Sequence, residues 1–207
     1  MNILLCPTRR ARLSLAFAAV LLAGCASTPA PVLLTLPPAA TAIDAPAPPM
    51  TRAAPVLALN RIEIPEYLVS RRVRYRAAGS TLAEWPDTYW GERIEIGVSR
   101  EFTSALRQRL PGWRLCESNC REQSPVASLQ VVIDRMDYVR TERQLQASVH
   151  LSLWSSDRIP RLLQSDERSY RIAGDGDSAQ SQAGALTELL RRIATDAGLR
   201  VGPLKTP

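Results

Sequence analysis

Gln144-Leu145-Gln146-Ala147-Ser148-Val149-His150-Leu151-Ser152-Leu153-Trp154-Ser155 alternates apolar and polar side chains along its whole length. Side chains two apart in a strand share a face. Leu145, Ala147, Val149, Leu151 and Leu153 therefore face one way, and Ser148, His150, Ser152 and Trp154 the other. Upstream, Leu129, Val131 and Ile133 alternate with Gln130, Val132 and Asp134 in a run that reaches Tyr138. The two runs read as an antiparallel hairpin around Arg140-Thr141-Glu142-Arg143. Leu162 to Ile172 supplies a third strand of the same meander.

Two helices flank these strands in sequence. Ile94, Val98, Phe102, Leu106 and Leu110 recur every four residues, and Ala105 widens the stripe. That spacing is an amphipathic helix, stopped by Pro111-Gly112. The turn Gly174-Asp175-Gly176-Asp177-Ser178 supplies an N-cap for a second helix, from about Ala179 to Ala197, which buries Leu186, Leu189, Leu190 and Ile193. Gly198 is its expected C-cap. Val56 to Leu59 with Ile62 and Ile64 reads as a strand ended by Pro65. Shorter extended pieces are expected at Val73–Arg76, Thr81–Trp85 and Trp113–Cys116. Two helices and about six strands of mixed connection predict a single α/β domain on one mixed sheet.

The N-terminus carries an address. Arg9, Arg10 and Arg12 precede the apolar run Leu13 to Leu22, and Leu22-Ala23-Gly24-Cys25 closes it. This is the layout of a secretory signal peptide, with a thiol at the cleavage point as in a lipobox. Ten apolar residues fall short of the ~20 that span a bilayer. Residues 1–24 are therefore expected to be removed and Cys25 to be acylated. Two or more acyl chains hold a protein stably in a membrane, and Ala26, rather than Asp, in the next position points to the outer membrane, facing the periplasm. Residues 25–31 are then a short lipidated tether of roughly 20 Å at ~3.1 Å per residue. The folded domain is expected over residues 32–202, opening with the proline-free stretch Val32 to Leu36 and carrying a Pro/Ala-rich loop over residues 37–55. The alternative is a polyproline-like linker all the way to Pro55, reaching about 90 Å.

Processing leaves 183 of the 207 residues and removes three arginines but no acid, so the formal charge falls from +6 to +3. The basic balance is then partly the signal's own, and a nucleic-acid partner loses its support. Arg71, Arg72, Arg74 and Arg76 form the one notable basic cluster. It reads as a solvated strand face, or as a contact for anionic head groups or an acidic partner. Cys116 and Cys120, spaced C-x-x-x-C, are expected to form a disulfide in an oxidising compartment. Metal ligation finds too few partners nearby, because His150 is the only histidine.

Enzyme signatures are missing. The chain contains no G-x-x-x-x-G-K-[ST], no G-x-S-x-G and no H-E-x-x-H. A hydrolase would have to use His150, with Ser148 and Ser152 on its own strand face; a histidine packed on a sheet face is the plainer account. Asp175 and Asp177 lack the bidentate glutamate of a calcium loop and serve helix capping. Tyr67, Trp85, Tyr89 and Trp90 cluster beside a proline turn and read either as core anchors or as contacts for a protein partner. No cofactor, catalytic residue or metal site is expected.

Several of these pieces fall in one order. Ile64-Pro65-Glu66-Tyr67-Leu68 after a strand, Trp90-Gly91-Glu92-Arg93 before a helix, an alanine-rich last helix with Ala183, Ala185, Leu189 and Ile193, and Val32 to Leu36 after the lipobox together resemble the ABC-type transport auxiliary lipoprotein family. Val69-Ser70 and Gly91 depart from its pattern. The resemblance implies a three-layer α/β/α sandwich on a mixed sheet. It also implies a non-catalytic outer-membrane lipoprotein, an accessory or docking subunit for mammalian-cell-entry (MCE) proteins and their ABC transporter in lipid transport between the envelope membranes, with membrane integrity as the phenotype. A homo-oligomer is left open. The rival from another class is a periplasmic carrier that holds acyl chains itself, which would need a closed apolar pocket.

Overall fold

A computed structural model describes residues 30–39 and 54–204. Cys25, its signal segment and most of the 37–55 loop lie outside the described residues.

Eight strands form one mixed sheet: β1 (Val32–Leu34), β2 (Val56–Leu59), β3 (Arg72–Arg76), β4 (Leu82–Trp90), β5 (Arg114–Cys116), β6 (Ala127–Val139), β7 (Gln144–Ser155) and β8 (Leu162–Ala173). The helices are α1 (Ile94–Arg109) and α2 (Ala179–Val201). Three 3-10 turns, η1 (Glu66–Leu68), η2 (Cys120–Gln123) and η3 (Arg140–Glu142), join strands. The meander β6-β7-β8 is antiparallel throughout, with Val131 opposite Leu151 and Leu151 opposite Asp166.

β6 is the spine. One flank pairs along its length with β7. The other flank is shared: β2 runs parallel to its first part, Leu57 opposite Ala127, and β3 meets its last residue, Arg76 opposite Val139. β5 extends the first branch, and β4 with β1 extends the second. After β2 the chain stays on β6, with Asn60 N donating to the Leu129 carbonyl and Glu63 bridging Val132, so the notch between the two branches lies beside Asp134–Tyr138, and η1 lies in the connection that crosses it.

The core lies on one face. Leu129, Val131, Ile133, Leu145, Val149, Leu151 and Leu153 are buried, together with Val98, Phe102 and Leu106 of α1 and Leu189, Leu190 and Ile193 of α2. The helices pack against each other as well as against the sheet. The expected single α/β domain, with two main helices and an antiparallel meander on one mixed sheet, is what the chain forms. The other face of β6 to β8 carries Gln130, Gln146, Ser148, His150, Ser152, Ser165 and Glu167, side chains that water solvates readily.

Two boundaries also differ from expectation. The strand expected over Thr81–Trp85 runs on to Trp90 as β4. Gly198 does not terminate α2, which continues to Val201. A Cβ at Gly198 would stand 3.0 Å from the Arg109 Cβ, so this glycine lets the C-terminal turns of the two helices approach closely. At the other end of α2, Ser178 is the N-cap and accepts from Ser181 N at 3.1 Å.

Candidate functional site

The notch is where the Pro65-Glu66-Tyr67-Leu68 segment acquires its role. Pro65 has extended backbone geometry and precedes the single turn of η1. Leu68 packs on the core side, near Trp90, Met136 and Leu186. Tyr67 reaches Asp137 and donates its hydroxyl to Asp137 Oδ1 at 3.0 Å. A bulge in β6 between Ile133 and Arg135 makes this meeting possible. It shifts the alternation by one residue, so Met136 and Tyr138 rejoin the core and Asp137 falls on the other face.

Asp137 is only 3% exposed, yet it is charged. Arg76 NH2 donates to Oδ1 at 2.9 Å and Arg135 Nε to Oδ2 at 2.8 Å. Burial alone would push this carboxyl up; the hydrogen bonds from Arg76, Arg135 and Tyr67 outweigh it and hold the group below the usual carboxylate range. Burial, joined by the neighbouring carboxylate, pushes the Tyr67 phenol up. Arg74 NH1 also donates to the Tyr67 carbonyl at 2.9 Å. The arginine cluster of β3 is thus spoken for: Arg72 and Arg74 pair with Glu84, and Arg76 with Asp137. Sequence reasoning singled out the arginines but missed Asp137, whose one signal is an acid set between two apolar residues in a strand.

The four aromatics separate into two kinds. Trp85 and Trp90 are buried. Trp85 Nε1 donates to Gln182 Oε1 at 2.7 Å, and Gln182 Nε2 donates to the Arg74 carbonyl at 2.7 Å. The Tyr75 ring lies 4.8 Å from Trp85, and the Arg140 guanidinium sits over Trp85 at 4.4 Å while binding Asp177 at 2.8 Å and the Tyr75 hydroxyl at 2.9 Å. These contacts tie α2, β3, β4 and the β6–β7 turn together at one end of the sheet. Tyr67 and Tyr89 are half-buried; Tyr89 lies under the Arg72 guanidinium at 5.0 Å. Of the four aromatics predicted as contacts, these two tyrosines alone retain exposed surface.

His150 lies on the open sheet face and pairs with Asp134 at 3.2 Å, while Ser148 bonds Glu167 at 3.4 Å rather than the imidazole. No serine is aligned on His150. Asp177 serves Arg140, and Gly174 brings the loop within reach of Tyr138, whose hydroxyl donates to the Gly176 carbonyl at 2.8 Å. Cys116 and Cys120 are joined in a disulfide with Cα atoms 5.6 Å apart. Among the described residues no three His, Cys, Asp or Glu side chains gather as a metal site, and no helix is long and apolar enough to cross a membrane.

Cavities are modest. A polar groove of about 460 Å³ lies between Asn60, Arg61 and the Ser99–Arg107 face of α1. An open hollow of about 1060 Å³ adjoins the disulfide loop and the β7–β8 turn. The apolar space between Leu68, Trp90, Ile94, Met136 and Leu186 holds about 10 Å³, room for one water at most.

No curated protein sequence matches the chain. Solved structures do share its fold. One, described as an uncharacterized protein, superposes with a TM-score of 0.65 at 14% identity, over 84% of this chain and 99% of that one. Another, XCC0632 from Xanthomonas campestris, of the family DUF330, gives a TM-score of 0.57 at 13% identity, over 82% of this chain and 90% of that one. A family model described as "ABC-type transport auxiliary lipoprotein component" aligns with residues 34–197, which include α1, the whole meander and the Asp137 network. On that alignment the chain belongs to the ABC-type transport auxiliary lipoprotein family.

Proposed function

We propose that this chain is a non-catalytic lipoprotein, anchored through acylated Cys25 in the outer membrane and facing the periplasm. It acts as the accessory or docking subunit of an MCE-type ABC system that moves lipid between the two envelope membranes. The observation that carries the reading is the family alignment over residues 34–197, starting nine residues after a lipobox cysteine. The site geometry supports it in kind. The charged and aromatic clusters are closed on themselves, holding elements together, and none presents a nucleophile with a base.

The carrier alternative would require the domain to enclose acyl chains; the apolar space beneath Leu68 is far too small for one, and the two larger hollows among the described residues are open and edged by Asn, Arg and Ser side chains. Two measurements test the proposal. Palmitate labelling should mark the mature chain and be abolished by Cys25→Ala. Detergent-extracted protein should co-purify with the MCE protein of the same transport system. An unlabelled chain recovered in the soluble fraction would overturn it.

A further inference from the structure

Three guanidiniums and one carboxylate line the groove of about 460 Å³ between α1 and the chain leaving β2: Arg61, Arg100, Arg107 and Glu117. Arg100 is already paired. Its Nη1 donates to Glu92 at 2.6 Å and its Nε to Glu101 at 2.9 Å. Arg61 and Arg107 form no ion pair among the described residues. Glu95, near enough to feel the charge of Arg61, is bonded instead by Arg93 Nε at 2.7 Å.

The groove also holds an unspent hydroxyl. Ser99, Thr103 and Arg107 follow one another at four-residue spacing and so stack along one side of α1. A helical serine or threonine can return its proton to the carbonyl four residues back, and Ser99 and Thr195 do so at 2.9 Å each. Thr103, only 6% exposed, makes no such bond and meets no other partner among the described residues. Leaving a buried hydroxyl unpaired is unfavourable. Among the described residues the one fully enclosed polar side-chain atom without a partner is Arg200 Nε. The Thr103 hydroxyl is therefore not sealed in, and it opens onto the groove that Thr103 lines.

These donors suit one chemistry. A guanidinium donates and never accepts. Arg61 comes from the β2 side and Arg107 and Thr103 from α1, so an acceptor between them must present oxygens in more than one direction. A tetrahedral phosphate does this, and arginine is the side chain that matches it best. The groove is also roomier than an ion needs, within the ~300–1,000 Å³ of small-molecule sites. Buried Leu59, Ile62 and Phe102 give it an apolar floor, and exposed Ile96 lies at its rim.

We infer that this groove binds an organic phosphate ester, with the phosphate between Arg61, Arg107 and Thr103 and the organic part over Phe102 and Ile96. A lipid head group and a soluble phosphate ester share this chemistry; a lipid would be held by its head, its chains left outside. The inference stands apart from the docking reading and needs neither the anchor nor the transport partner.

The test is isothermal titration calorimetry of the full-length protein in dodecyl maltoside, at fixed ionic strength. The titrants are glycerol 3-phosphate, sn-glycero-3-phosphoglycerol (the chain-free head of phosphatidylglycerol) and inorganic phosphate. At least one ester should bind saturably and more tightly than inorganic phosphate. Arg61→Gln and Arg107→Gln should each weaken that ester by about tenfold or more, and Thr103→Val by about fivefold. Both arginines are exposed, so their variants should melt as wild type does. Arg171→Gln, at an exposed arginine of β8, should bind as wild type. Tighter binding of the phosphodiester assigns the groove to a lipid head group, and tighter binding of the monoester to a soluble ligand. Equal weakening by all three arginine substitutions would mean bulk charge attraction and overturn the inference. So would inorganic phosphate matching both esters, or no saturable binding of either. Hexaglutamate binding as tightly as the esters would assign the groove to an acidic protein partner and overturn it too.

Discussion

Asp137 is the residue whose removal most directly tests the account of the notch. Its carboxylate is buried and receives Arg76, Arg135 and Tyr67. Removing one partner of a buried ion pair costs about 3–5 kcal/mol. Arg135 is half-exposed and recovers hydration when released, so about 3 kcal/mol is the figure for Asp137→Ala. For a domain of this size that lowers Tm by roughly 6–12 °C. Asp137→Asn keeps the shape and a carbonyl acceptor and loses only the charge, so it should cost less. The pH dependence separates charge from packing. The folded carboxyl titrates below its unfolded value of ~3.9. Its contribution is whole above that value and disappears as pH falls through the folded pKa. The stability gap between wild type and Asp137→Asn should therefore be widest near pH 7 and close progressively below about pH 4. Thermal melts followed by circular dichroism from pH 7 to pH 2 measure it. A gap that stays constant over that range, or Asp137→Ala melting within 2 °C of wild type, would refute the reasoning.

Other expectations are more local. A Cβ on Gly174 would stand 2.6 Å from Ser181 Oγ and 2.7 Å from the Tyr138 hydroxyl, both held by bonds to Gly176. Gly174→Ala should cost about 1–3 kcal/mol, and a melt within 1 °C of wild type would contradict the close approach. Ser178→Ala removes the N-cap of α2 and should cost about 1 kcal/mol, recovered by Ser178→Asp in the same denaturation series. His150→Ala should alter stability by no more than about 0.5 kcal/mol and leave envelope permeability to detergent unchanged; a permeability defect at wild-type abundance would revive a chemical role for the imidazole.

Legibility followed the range of the interactions. β7, the hairpin and both helices were visible because their burial repeats at two or at 3.6–4 residues, a periodicity written in the local sequence. The notch was not visible. It arises because β2 and β3 pair with β6 at places far apart, and parallel pairing over long separations leaves no short-range pattern. The bulge before Met136 then reverses which residues face the core, and a one-residue slip cannot be read from alternation that simply continues. Gly198 illustrates the same limit. Its position near a helix end matches a C-cap, but its use is a contact with Arg109 of the other helix. Trp85 and Trp90 could be core or contact from sequence, and burial puts them in the core.

The edge of the sheet bears on where assembly takes place. Among the described residues β8, a twelve-residue strand, pairs on one side only, and so long a free edge ordinarily invites another strand. Here the edge carries Asp166, Glu167, Arg168 and Arg171, and Arg200 of α2 reaches across to Asp166. Adding a strand along that edge would set further side chains against this array and strip water from Glu167, Arg168 and Arg171, which are exposed. The charges stop short of the strand's first residues, Leu162 and Leu163, where apolar surface begins and continues into the turn. Because the charges guard the edge, Glu167→Leu together with Arg168→Leu should promote self-association of the protein in sedimentation velocity, while Leu163→Asp should not; self-association triggered equally by both would mean that the edge charges are not what keeps the strand unpaired.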